Sequence, residues 1–177
     1  LSGHAVALNI ASVAFMMPLA IGLAGSTRVG NLIGEKKYVE ARYSSYVGVL
    51  LCFIGAIFNM TILLIFRENF ASIYSKDIDV VNVAISLLLY ASIFQIPDGI
   101  QMGSLGALRG YKDTFAPMVF LIISYWLFAI PFGYFLTNYG FYNPMGAEGM
   151  WISMILGLIV FSALIFTRLR FVSSRYI

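Results

Sequence analysis

Long apolar runs separated by short clusters of charge organise this chain from one end to the other. Nothing between Ala5 and Thr27 is charged, and a second uncharged run covers Tyr43 to Phe66. A third extends from Val80 to about Leu108 and is broken only by Asp98. A fourth occupies roughly Phe115 to Leu136, and a fifth about Gly149 to Thr167. Each reaches or approaches the roughly 20 residues that carry an α-helix across about 30 Å of hydrocarbon. A membrane β-barrel would instead show alternating strands of roughly 10 residues. The runs are continuous, so the pattern predicts an all-α membrane fold with five transmembrane helices, near 5–27, 43–66, 80–108, 115–136 and 149–167.

Composition supports that reading and narrows it. Hydrophobic residues fill 60% of the 177 positions and charged residues only 11%, with a mean hydropathy of +0.89. Soluble domains carry about a quarter charged residues, and a soluble core could not hide this much apolar surface. Lipid solvates it directly. The single Cys52 lies in an apolar run, so no internal disulfide forms, and it reads as a small core or lipid-facing residue. The net charge of +3 is modest, and the basic residues sit in short loops rather than along one face, which argues against a nucleic-acid partner. The first residue is Leu1, and neither a charged leader nor a cleavage site precedes the first apolar run. That run is therefore not a signal peptide, and the chain reads as a piece whose beginning lies elsewhere.

The basic residues also predict orientation. Arg28, Lys36, Lys37 and Arg42 follow the first span, Arg109 and Lys112 follow the third, and Arg168, Arg170 and Arg175 follow the fifth. The alternate loops hold only Arg67 and Lys76. By the positive-inside rule the basic loops and the C-terminus are cytoplasmic. Tyr139, Phe141 and Tyr142 then fall in the outer loop, at the headgroup depth that aromatic rings favour. From Asn31 to Tyr46 apolar residues alternate with charges. This stretch reads either as a short interfacial helix that lengthens the next span or as a solvated connection.

Asp98 is the candidate of greatest chemical interest. A carboxylate at membrane depth costs on the order of 3 kcal/mol or more, so such residues face a cavity or a partner and mark ion and proton pathways. Gln95 and Gln101 lie three residues to either side, on the same broad helical face. Pro97 removes a backbone donor beside it and should loosen the helix there. A bent helix carrying a carboxylate and two amides would suit the wall of an ion or substrate pathway. The plainer alternative is a protonated, structural Asp98 bonded to a neighbouring helix; the functional reading is preferred. Pro18, followed by Gly22 and Gly25, is either a second hinge or a place of close helix packing. His4 reads as an interfacial or packed side chain. Asn9, Asn59 and Thr61 are expected to bond between helices, and Met16, Met17 and Met102 to serve packing. No GxxxxGK[ST], HExxH or GxSxG motif and no Cys/His cluster occurs, so nothing argues for an enzyme or a bound cofactor.

Three stretches resemble a known family. AFMMPLAIGLAGSTRVGNLIG from Ala14 to Gly34, QIPDGIQMGSLGALRGYKDT from Gln95 to Thr114, and NPMGAEGMW from Asn143 to Trp151 are similar to helices of the multidrug and toxic compound extrusion (MATE) transporters, especially the bacterial NorM-like branch. The resemblance implies a fold of about twelve helices in two lobes facing a cleft, of which this chain would supply the eighth to the twelfth. It implies an antiporter of the inner (plasma) membrane that exports organic, often cationic, compounds against H⁺ or Na⁺. Helices 1–7, which would precede Leu1, are then the missing partner, and they would include a second acidic residue in the seventh helix. By the same resemblance Asp98 takes part in cation coupling, with Phe94, Gln95 and Gln101 nearby and Pro97 and Pro18 as hinges. Some NorM-like members have tyrosine where this chain has Phe94, which leaves the ion, sodium or proton, open. Arg109, Lys112 and Asp113 are expected to anchor the helix end rather than touch substrate. The rival readings are a flippase of lipid-linked sugars sharing the same fold, and a non-transporting membrane scaffold.

Overall fold

A computed structural model describes residues 2–74, 78–139 and 146–176, and all the described chain is helix or tight turn. Helix α1 spans Ser2–Gly34, α2 Tyr38–Tyr74 and α3 Ile78–Gly110. The fourth span divides into α4, Phe115–Ile122, a π-helical segment, Ile123–Ala129, and α5, Ile130–Asn138. Helix α6 covers Gly146–Arg175. Five helical stretches are long and apolar enough to cross a membrane, the fourth being α4 through α5 taken together. The side chain of His4, together with Lys76, Phe141, Tyr142 and the segment 143–145, lies outside the described residues.

The helices overrun the charge-free stretches because long basic side chains can leave an apolar surface while their stems stay on it. Arg28 is thus within α1 and Arg42 within α2, and the connection between those helices shrinks to residues 35–37. Of the two readings of this stretch, the helix that lengthens the next span is the one observed, since α2 begins at Tyr38 and runs on without a separate interfacial segment. The two turns at the basic end share one design. Lys37 N–H donates to the Leu32 carbonyl at 2.9 Å and Lys36 N–H to that of Ile33 at 3.1 Å; Asp113 N–H donates to Leu108 at 2.9 Å and Lys112 N–H to Arg109 at 3.0 Å. These are Schellman closures of α1 and α3. The residue that must turn left-handed is a lysine in each, Lys36 at φ 60° and Lys112 at φ 62°. Glycine fits that conformation without a Cβ penalty. Lys112→Gly is therefore expected to stabilise the protein by about 0.5–1 kcal/mol, read as a raised thermal unfolding midpoint in detergent.

Helix α3 is the spine of the bundle: α1, α2 and α6 all pack on it, while α5 and the π segment pack on α6. Small residues make the close approaches. Gly99 and Gly103 face α2, where a Cβ on Gly99 would sit 2.6 Å from the Ala56 Cβ and 2.7 Å from the Cys52 carbonyl oxygen. Gly106 faces α1 at Gly22, and a Cβ on Gly22 would lie 2.8 Å from the Met102 carbonyl oxygen. This is small-residue packing of the kind that drives helix association in lipid. Gly22 therefore serves close packing, whereas a Cβ at Gly25 would meet nothing within 4 Å.

Pro18 is buried and has a dedicated partner arrangement. Proline lacks an N–H, so the carbonyl four residues back, at Ala14, loses its helical donor. Asn59 of α2 supplies a replacement, its Nδ2 donating to the Ala14 oxygen at 2.7 Å. The expected inter-helix bond of Asn59 is present. Those of Asn9 and Thr61 are not: Asn9 is exposed and makes no hydrogen bond among the described residues, and Thr61 Oγ1 turns back to its own helix at Ile57 O, 2.8 Å away. Asn59→Ala is expected to cost about 1 kcal/mol. Pro18→Ala should remove most of that cost by restoring the backbone donor, a coupling that a double-mutant cycle of thermal unfolding measures.

Two apolar clusters fill the interior. One lies toward the basic end and contains Val29, Leu108, Leu158, Phe161 and Leu169. The other contains Ile10, Leu63, Leu87, Leu88 and Trp151. Gln95, Asp98 and Gln101 belong to neither cluster.

Candidate functional site

Asp98 lies on α3 with only 3% of its surface exposed, and Gln95 and Gln101 are buried beside it on the same helix. Pro97 is buried as well, and Phe94 is half-buried against the cluster at the basic end. The structure thus places the three polar residues together, inside the bundle and not on an open groove. Glycine at position 99 lets α2 approach the spine one residue from the carboxylate, next to Cys52 and Ala56.

No hydrogen bond or ion pair reaches the Asp98 carboxylate from any described residue. Its neighbours do not offset its charge. Cys52 and Tyr125 lie close enough for that charge to act on them. Cys52 directs its thiol elsewhere, to the Pro18 carbonyl oxygen at 3.6 Å. The Gln95 side-chain oxygen is also buried without a hydrogen-bond partner among the described residues. A charged carboxylate and an orphaned amide oxygen at membrane depth are each costly. A proton on Asp98, or a cation held by the carboxylate and amide oxygens, offsets that cost.

Tyr125 is a neighbour that the apolar pattern does not single out. It comes from the π segment, where the Ile130 N–H reaches back five residues to the Tyr125 carbonyl. Such segments are rare and concentrate at functional sites. Two features hold this one against α6: Ser153 donates its hydroxyl to the Ala129 carbonyl, and Gly157 admits Ala129 against its backbone. Tyr125 is half-buried in this segment and lies edge-on to Phe161 at 6.2 Å between ring centres.

The basic end is tied together separately. Arg168 Nε donates to Asp113 Oδ2 at 2.7 Å, joining α6 to the turn after α3. The Tyr176 ring lies 5.4 Å from both Tyr38 and Tyr111. Glu35 pairs with Lys37 at 2.7 Å, and that hydrogen bond holds its carboxyl below the usual carboxylate range. Asp113 thus anchors the helix end, while Arg109 and Lys112 are exposed.

The MatE family model matches residues 1–135. The multidrug resistance protein NorM of Vibrio vulnificus (strain YJ016) is 42% identical over 171 residues, covering 96% of this chain and 37% of that protein. The multidrug resistance protein MdtK of Photorhabdus laumondii is 35% identical over 175 residues, covering 98% of this chain and 38% of the relative. The crystal structure of the eukaryotic MATE transporter AtDTX14 superposes with a TM-score of 0.86 at 25% identity, over 99% of this chain and 41% of that one. The chain therefore spans less than half the length of these relatives.

Proposed function

The chain belongs to the MatE family, and on that premise we propose that its five helices work as the C-terminal lobe of a cation-coupled exporter of organic, often cationic, compounds. The premise makes it a multi-pass membrane protein of a transporter family; substrate class and coupling go further. The observation that carries the proposal is Asp98, a carboxylate buried at membrane depth with no partner among the described residues, beside Pro97, which leaves the continuous helix α3 one backbone donor short. A binding site for H⁺ or Na⁺ needs such a group. A purely structural acid would be bonded to a neighbouring helix.

In this reading Asp98 takes up a proton or sodium ion from the outer side. Loading removes a buried charge, so the loaded and empty lobes prefer different packings around Pro97. Export follows if substrate binds better to one packing than to the other, since only differential affinity shifts such an equilibrium. Gln95 and Gln101 supply amide oxygens toward the same space, and Tyr125 a hydroxyl. Phe94 supplies none. Residues preceding this chain, corresponding to the first seven helices of the relatives, complete the cleft. The basic end and the C-terminus face the cytoplasm across the inner (plasma) membrane, as the distribution of Lys and Arg favours.

The flippase reading would place basic side chains along the cleft for a pyrophosphate. The described Lys and Arg residues stay toward the helix ends and the turns between them. Reconstitution of the full-length transporter tests the proposal. Efflux of a cationic dye should require an inward H⁺ or Na⁺ gradient and stop when an ionophore collapses it. Efflux that persists with both gradients collapsed would overturn coupling, and absence of dye transport under any gradient would overturn the exporter reading.

A further inference from the structure

Helices α2 and α6 both pack on α3 but scarcely touch each other, so an apolar groove of ≈ 480 Å³ opens between them with Ile100 of α3 as part of its floor. Tyr46, Val49 and Phe53 line it from α2, and Ile159, Ala163 and Phe166 from α6. On α2 these residues recur at helical spacing, and the same stripe carried one turn toward the basic end arrives at Arg42. On α6 the stripe carried one turn in the same direction arrives at Arg170. One turn is about 5.4 Å, so the two arginines stand one turn beyond the groove's lining residues, one on each helix, at its basic end. Tyr46 and Ser173 bring α2 and α6 together near this end, their hydroxyl oxygens 3.5 Å apart.

Neither arginine is committed elsewhere. Two acids at this end are taken, Glu35 by Lys37 and Asp113 by Arg168; Glu40, in the first turn of α2, forms no ion pair among the described residues, and neither do Arg42 and Arg170. Arg175 lies over the Phe171 ring at 4.2 Å, which sets it apart from the groove. Two unpaired cations at headgroup depth, aligned with an apolar channel running toward the bilayer centre, match a molecule with an anionic head and a hydrocarbon tail.

We propose that the groove between α2 and α6 is a binding site for an anionic phospholipid, with one acyl chain along Val49, Phe53 and Ala163 and the phosphate held between Arg42 and Arg170. Arginine suits phosphate through its planar fork of donors. The site needs the bundle to be in a membrane but does not depend on transport, and it lies on α2 and α6, apart from Asp98.

Native mass spectrometry of the full-length transporter, released from nanodiscs containing equal phosphatidylglycerol and phosphatidylcholine, provides the test. The wild type should retain phosphatidylglycerol preferentially. Arg42→Gln and Arg170→Gln should each lower that retention about five-fold, the effect of one basic group beside an anionic surface. Ala163→Trp, which fills the channel without touching either charge, should lower it as well. Arg67→Gln, at the opposite end of α2, should leave it unchanged and shows that the fold tolerates losing a surface arginine. Unchanged retention in the Arg42→Gln, Arg170→Gln and Ala163→Trp variants would overturn the proposal and indicate that other helices of the transporter cover the groove. Equal retention of the two lipids by the wild type would overturn it also.

Discussion

Replacing Asp98 by asparagine is expected to reduce gradient-driven export by the full-length transporter on the order of 100-fold, the upper range of coupling between two sites. Asparagine is nearly isosteric but cannot carry the charge that a proton or sodium ion neutralises. The buried position then stays neutral in every state, and the two packings around Pro97 lose the difference that loading imposes. The protein should still fold, because no described residue of a neighbouring helix depends on the carboxylate for a hydrogen bond or ion pair. Its unfolding midpoint should match or exceed that of the wild type, since an uncompensated charge leaves the interior. Unimpaired stability with lost coupling separates this outcome from simple misfolding. Dye efflux in proteoliposomes, paired with thermal unfolding of the same preparations, measures both. An Asp98→Asn protein that exports normally and still follows the gradient would place coupling elsewhere.

Gly106→Val is expected to have the largest effect on stability. Position 106 abuts the backbone of Gly22, so a Cβ there falls well inside van der Waals contact with the Gly22 carbonyl. Backbone on both sides leaves nothing flexible to yield, and α1 must separate from the spine. Overpacking of this kind costs about 1–3 kcal/mol where side chains can move, and more is expected where they cannot. The yield of folded, monodisperse protein from detergent should fall sharply. Gly34→Val, where a Cβ would meet nothing within 4 Å, is the control that should cost far less. Equal yields from the two variants would show that the approach of α1 to α3 is looser than the structure has it.

The fold was legible in the sequence because lipid imposes one strong rule, that every backbone group be satisfied within a helix. Five apolar runs of the right length, the third charged only at Asp98, met that rule, and the described residues form five long apolar helices. Where the helices end was less legible, since Arg28 and Arg42 lie inside α1 and α2 rather than in the loop that their charge suggested. The fourth span showed why local pattern has limits. A π segment differs from an α-helix by one residue's offset in hydrogen bonding, and nothing in the composition of Ile123–Ala129 announces it. Contacts with Ser153 and Gly157 of α6 hold it, and those are tertiary.

The same division runs through the site. Asp98 stood out because an acid in an apolar run is costly, and Gln95 and Gln101 followed from helical spacing. Tyr125 did not stand out, because aromatic residues make up 16% of the chain and one more carried no signal. The proline at 18 implied an orphaned carbonyl at Ala14, but only the packing of α2 identified Asn59 as its donor. Hinge and packing were equal readings of the Pro18 region; the contact of Gly22 with α3 and the bond from Asn59 describe a well-packed joint.

Substrate-driven cation release probes the central claim, that Asp98 holds the coupling ion, most directly. Purified full-length transporter is loaded with H⁺ or Na⁺ in weakly buffered detergent solution, a cationic substrate is added, and the displaced ion is counted with a pH indicator or a sodium-selective electrode. The wild type should release one of the two ions as substrate binds. Asp98→Ala should release none while still binding substrate by fluorescence. Release from Asp98→Ala equal to that of the wild type would contradict the assignment.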